Sequence, residues 1–181
     1  AVIIEPTTDT IFAGATHDTV YASEDGGQTW DQRGNGITQQ DIYSLAATKI
    51  NGKVRLFAGT QPAHLFYSDD LGETWSEFAS LRSVPSAPDW RFATRLFGGH
   101  AKHINFDPND PTTMYASIEV GALLKSTDSG QTWHEVGQPI EEYYPDVHRT
   151  VIHPHSKRVY ITGGNGLYTT SDSGATWEHW T

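Results

Sequence analysis

The chain has 181 residues, 36% of them hydrophobic and 12% aromatic, with no cysteine and one methionine, a composition that suits an all-β soluble globule with an adequate core. Its 12 basic against 22 acidic residues leave a net charge of −10, which supplies no basic stripe for a phosphate backbone and argues against nucleic acid as a partner. The absence of cysteine removes disulfides, thiolate nucleophiles and Cys-ligated zinc; no apolar run is long enough to span a bilayer, and no signal-peptide pattern opens the chain at Ala1.

Residues 1–6 align with the end of a strand that recurs at 103–108 and 149–154, so the first unit starts part-way along its innermost strand. Two short strands follow, 10–14 and 19–22, joined around His17 and Asp18. The phrase Ser23-Glu24-Asp25-Gly26-Gly27-Gln28-Thr29-Trp30 then turns the chain into a fourth strand that opens at the Trp. The phrase returns at 68–75, 126–133 and 170–177, always as Ser or Thr, x, Asp, x, Gly, x, Thr, Trp. Its aspartates, Asp25, Asp70, Asp128 and Asp172, stand 45, 58 and 44 residues apart, a period that means repeated supersecondary units. The short hydroxyl and carboxylate side chains can accept backbone N–H groups of a turn, and the Gly can take a positive φ. Trp30, Trp75, Trp133 and Trp177 are expected to bury their rings against the neighbouring unit, each indole N–H needing a partner. A calcium loop is the competing reading and fails on ligand count, because the fourth copy offers only Asp172.

The second unit places strands at 43–47, 54–58, 64–67 and 74–78, the third at 103–106, 113–117, 122–125 and 132–136, and the fourth at 149–152, 158–162, 166–169 and 176–180. No helix of any length is indicated; the one candidate, 77–83, is short. The prediction is a β-propeller of four four-stranded antiparallel blades at about 1–34, 41–80, 100–138 and 146–181, one segment of a ring of six to eight blades. Remaining blades or self-association would complete the ring, since an open sheet edge invites pairing. Residues 81–99 read as an insertion between the second and third blades, and a connection of that length is usually functional or mobile.

The four repeats resemble Asp-box (BNR) repeats. That hairpin signature is found in sialidase-like propellers, in xyloglucanase-type glycosidases, in sortilin-like receptors and in a photosystem II assembly factor. The resemblance covers nearly the whole chain and implies the fold; its members share the clasp and not the chemistry. The segments His100-Ala101-Lys102-His103 and Asp146-Val147-His148 are also similar to uncharacterised bacterial Asp-box proteins. In such propellers the blade-to-blade links lie opposite the Asp-box turns, on the face where family members place ligands.

Aligned inner strands put Asp41, His100 and Asp146 at one position and Tyr43, Lys102 and His148 two residues further on, so these side chains are expected to ring the mouth of the central channel. The turns between second and third strands add His17, Asp18, His64 and Glu119, and the links add Trp90, Arg91, Tyr143 and Tyr144. Asp146 and Glu119 are the candidate acid/base pair, since two carboxylates in unlike surroundings can divide those roles, with His148 as a possible base beside Asp146. The alternative is a wet channel with no catalytic task. His100, His103 and His148 are the histidines a metal would use, but His100 and His103 sit three apart on a strand and should face opposite ways, so no metal or other cofactor is expected and only His100 and His148 remain as candidates. His153 and His155 read as solvated surface on the far face. A sialidase needs three placed arginines, and no motif places Arg91, Arg95 and Arg149. The expected function is a module that binds a glycan, a small molecule or a protein, with Trp90, Tyr143 and Tyr144 as stacking surfaces. The alternative is a carbohydrate-active enzyme, hydrolase or lyase, using Asp146, Glu119 and His148. An extracellular or periplasmic compartment is expected ahead of a cytoplasmic one.

Overall fold

Short β-branched and aromatic runs separated by polar turns fold into sixteen strands among the described residues, in four sheets within each of which consecutive strands pair. The computed structural model describes residues 1–92, 98–136 and 146–180. The first sheet holds β1 (Val2–Ile4), β2 (Ile11–Gly14), β3 (Val20–Ser23) and β4 (Asp31–Gln32). The second holds β5 (Asp41–Ile50), β6 (Lys53–Gln61), β7 (Leu65–Ser68) and β8 (Ser76–Glu77). The third holds β9 (His100–Asp107), β10 (Asp110–Glu119), β11 (Leu123–Ser126) and β12 (His134–Val136), and the fourth β13 (Val147–Ile152), β14 (Val159–Gly163), β15 (Gly166–Thr170) and β16 (Glu178–Trp180). The chain is all-β, and its four antiparallel four-stranded sheets are propeller blades. The outer strands begin after each Trp rather than at it; in the second blade the Trp75 N–H leaves its own sheet and donates to Asn35 O of the first.

Blade strands are buried on both faces, so consecutive apolar residues serve different cores. Leu56 and Ala58 join Phe12, Val20, Ile42 and Phe66 between the first and second blades, whereas Phe57 points the other way, to Phe78, Ile104 and Met114 between the second and third. Tyr115, Leu123, Val147, Ile161 and Tyr168 fill the space between the third and fourth. Three inter-blade cores thus replace a single central one. Polar side chains stitch adjacent inner strands at equivalent positions: Ser44 Oγ donates to Ala101 O (2.6 Å), and His103 Nδ1 accepts the Thr150 N–H (3.3 Å).

The connection after the second blade is a packed wedge over its first half. It carries two 3₁₀ turns, Ala79–Ser83 and Ala87–Asp89, and buries Leu81, Val84, Ala87 and Trp90 in the core between blades two and three.

One hydrogen-bond network recurs in all four boxes. The hydroxyl of Ser23, Ser68, Ser126 or Thr170 donates to its aspartate (2.6–2.8 Å) and accepts the N–H of the box glycine. The same aspartate accepts the backbone N–H and the hydroxyl of Thr29, Thr74, Thr132 or Thr176. These bonds, led by the Thr29 hydroxyl for Asp25 and the Thr170 hydroxyl for Asp172, hold those carboxyls well below the usual range; for Asp70 and Asp128 they outweigh burial, which acts in the opposite direction. Each glycine has φ between 85° and 97°, and the residue before it (Gly26, Leu71, Ser129 or Ser173) is also left-handed.

The tryptophans divide into two environments, a correction to the single niche expected. Trp75 and Trp133 are buried at inter-blade cores, and Trp75 Nε1 donates to Arg33 O of the preceding blade (2.6 Å). The indole N–H groups of Trp30 and Trp177 instead turn back on their own boxes, donating to Gly27 O and Gly174 O (both 3.2 Å); Trp177 still packs against the core between the third and fourth blades, whereas Trp30 is 41% exposed. The first blade has no preceding blade within this chain to cover Trp30.

Candidate functional site

The ladders make the aligned positions equivalent. Asp41 and His100 stand opposite Gln61 and Glu119 at the ends of second strands, and Gly164 N donates to Asp146 O at the corresponding place (3.2 Å). A register shift follows in each inner strand, leaving Tyr43, Lys102 and His148 as the inserted residues. A bulge there re-aims side chains near the start of each inner strand, at the end of the sheets opposite the Asp boxes.

The third and fourth blades bring five predicted residues together around Glu119. Its Oε2 accepts Lys102 Nζ (2.6 Å) and lies 2.8 Å from His100 Nδ1, while Oε1 lies 3.4 Å from His148 Nε2. Burial pushes the Glu119 carboxyl up, but the hydrogen bonds from Lys102 and His100 outweigh it and hold the group below the usual carboxylate range. An ionised carboxylate only accepts, so His100 carries its proton on Nδ1. The His100 ring is buried and stacks on Tyr43 with centroids 4.0 Å apart, with Phe92 at 5.3 Å, and its Nε2 has no hydrogen-bond partner among the described residues. His148 Nε2 also lies 2.9 Å from Asp146 Oδ1, yet the contact lacks hydrogen-bond alignment, and Oδ1 is a buried atom without a hydrogen-bond partner among the described residues. Space for that carboxylate comes from Gly164, where a Cβ would fall 2.7 Å from Asp146 Oδ2. Chemically, Glu119 and Asp146 are acceptors flanking one imidazole, and the ionisation of Glu119 withdraws it from the role of proton donor.

Other predicted residues lie elsewhere. Asp41 is engaged by the first blade, accepting the His17 N–H (2.7 Å) with His17 Nδ1 at 3.1 Å, and Asp18 accepts from Tyr21 Oη. His64 turns outward to Glu77 (2.6 Å). Trp90 is corrected from a stacking surface to a core residue: it is 6% exposed, and its N–H donates to Ser86 Oγ. Arg91 stays half-exposed, 3.6 Å from Asp89. Tyr143, Tyr144 and Arg95 lie outside the described residues. His100 and His103 stand opposite Glu119 and Ser117, two residues apart on β10, so the bulge at Lys102 puts them on one side of the ladder, not on opposite sides. His103 still serves another end, bonding the fourth blade, and burial with the nearby Arg149 pushes its pKa down to about 4. His153 and His155 lie exposed in the far-face turn, as expected; what the sequence reading left out is that His153 Nδ1 accepts the His155 and Ser156 N–H groups, as Glu5 accepts those of Thr7 and Thr8, and the shared X-Pro position was the available signal.

Residues 6–96, just over half of the chain, match the family described as photosynthesis system II assembly factor YCF48. The chain belongs to that family. This YCF48-family chain is 22% identical over 157 residues to the photosystem II assembly lipoprotein Ycf48 of Synechococcus sp. (strain CC9902), covering 87% of this chain and 41% of that protein. It is 35% identical over 88 residues to a xyloglucanase of Paenibacillus sp., covering 39% of this chain and 9% of the enzyme. Among solved structures, an ancestral GH74 enzyme superposes with a TM-score of 0.75 at 15% identity over 100% of this chain and 24% of that one. A structure described as YCF48 bound to D1 peptide gives 0.60 at 20% identity, over 98% of this chain and 57% of that one. Both structural likenesses carry the propeller fold, and the YCF48-family chain spans only part of each relative.

Proposed function

We propose that this propeller binds a protein segment on the rim that holds Glu119, and that it does so outside the cytoplasm. The observation that carries the reading is Glu119 itself. With Lys102 and His100 bonded to one of its oxygens, it is organised as a fixed acceptor rather than as a proton donor, which favours recognition over glycoside hydrolysis. Asp146 Oδ1 and His100 Nε2, without hydrogen-bond partners among the described residues, favour a partner that presents N–H donors, and Tyr43, Lys102, His148 and Arg91 would supply the surrounding contacts. Family membership and the related structure with D1 peptide support a protein partner; the described relatives include a lipoprotein, and no helix among the described residues is long and apolar enough to cross a membrane. The glycan alternative rests on the xyloglucanase relatives.

The test uses D1 peptide and an immobilised peptide library as binding probes, with xyloglucan and reducing-sugar release as the competing assay, on wild type and Asp146→Asn. Peptide binding that weakens in the variant, without sugar release, is expected. Sugar release by the wild type that disappears in Asp146→Asn overturns the reading in favour of a carbohydrate-active enzyme.

A further inference from the structure

We infer that Glu119, Asp146 and His148 form a site for a divalent transition-metal ion, zinc by ligand chemistry, bridging the third and fourth blades. One Glu119 oxygen, one Asp146 oxygen and one His148 ring nitrogen lie within 4.8 Å of one another. Zinc takes imidazole nitrogen and carboxylate oxygen at about 2.0–2.2 Å; two ligands at that distance are about 3.0 Å apart at a right angle and about 3.4 Å apart at the tetrahedral angle. The observed separations from His148 Nε2 are 2.9 Å to Asp146 Oδ1 and 3.4 Å to Glu119 Oε1. These two separations match edges of such a coordination polyhedron, and the third pair, Glu119 and Asp146, lies within 4.8 Å.

Beyond these separations, Asp146 Oδ1 is a buried atom with no hydrogen-bond partner among the described residues, although it stands 2.9 Å from His148 Nε2. A buried carboxylate oxygen left unpaired is costly, and a cation between it and Nε2 satisfies both. The surroundings have the form of an outer shell. Lys102 and His100 hold Glu119 through Oε2 and leave Oε1 toward His148, as carboxylate ligands are commonly held from behind. Three protein ligands leave an open position for water or for a ligand atom of a partner. Two carboxylates and an imidazole fit a first-row ion of borderline hardness better than calcium, which takes six to eight oxygens. The inference does not depend on a protein partner, because it is read with metal alone.

The experiment titrates the metal-free 181-residue chain with zinc by calorimetry, and with cobalt(II) by visible absorption, using wild type, His148→Ala, Asp146→Asn and Gly164→Ala. Gly164 has no positive φ, and an alanine there meets only the end of the Asp146 side chain, so this variant folds with all three ligands present and one displaced. One zinc per chain is expected, weakened roughly tenfold or more in each variant, as outer-shell and ligand changes weaken metal sites, and unchanged in a His153→Ala, His155→Ala control on the opposite face. No zinc uptake by the wild type overturns the site. So does affinity that is unchanged in Gly164→Ala and His148→Ala, or that is lost in the control.

Discussion

Replacing Trp75 and Trp133 separately by phenylalanine asks whether the indole nitrogen or the ring holds adjacent blades together. Both rings are nearly buried, at 5% and 6% exposure, so the loss of apolar contact and the void left behind are similar and largely cancel in the comparison. The nitrogens differ. Trp75 Nε1 donates to Arg33 O across the first inter-blade core, whereas Trp133 Nε1 is buried with no hydrogen-bond partner among the described residues. Removing a satisfied donor costs about 1 kcal/mol, and removing an unsatisfied buried one returns about 1–3 kcal/mol. Trp75→Phe should therefore be less stable than Trp133→Phe by about 2–4 kcal/mol, read as the difference in extrapolated unfolding free energy in urea at pH 7, with the slopes checked for equality. Equal losses, or a greater loss in Trp133→Phe, would refute the claim that Trp75 acts through its hydrogen bond to the preceding blade.

His103 makes stability fall on acidification. Its folded pKa is pushed from 6.5 to about 4 by burial and by Arg149, so between those values the unfolded chain binds a proton that the folded chain does not. Stability is full above 6.5 and declines as the pH drops to about 4; after discounting for partial exposure the loss is on the order of 2 kcal/mol. His103→Asn should flatten that part of the stability-against-pH curve, and superimposable curves would show that another group governs it. The end blades carry the third prediction, because Val2 (68% exposed) and Ile4 (62%) on the first, and Val151 (48%) and Trp180 (58%) on the last, face no blade of this chain. We expect the 181-residue chain to self-associate in sedimentation runs, and Val2→Lys with Trp180→Lys to shift it toward monomer; concentration-independent sedimentation of the unmodified chain would count against it.

Most of the fold was legible because a clasp made of local bonds leaves a local signature. Asp128 binds residues two and four positions away, so its partners stand beside it in the sequence and the repeat can be read letter by letter. The burial of Trp90 was not legible in that way. An aromatic in a long proline-containing link reads as a surface, and only the space between two sheets, closed by Leu81, Val84 and Ala87, makes it core. The tryptophan niches are a related case: the clasp fixes each backbone, but whether the indole N–H donates to the preceding blade, as in Trp75, or back to its own turn, as in Trp30 and Trp177, is written in no box.

The rim shows where strand periodicity stops being a sufficient guide. Two-residue alternation put His100 and His103 on opposite faces, and the ladder puts them on one, because Lys102 is inserted between them opposite no partner. The inserted residues of the three blades, Tyr43, Lys102 and His148, share neither charge nor shape, so the bulge leaves no compositional mark; it shows only as a register shift against β6, β10 and β14. Without it Lys102 would follow the alternation of a regular strand. With it the ammonium reaches the carboxylate that His100 also holds, and His148 closes on the same group from the next blade. The position of the site was therefore readable from the alignment of inner strands, whereas its convergence on Glu119 depends on a backbone irregularity repeated in three blades.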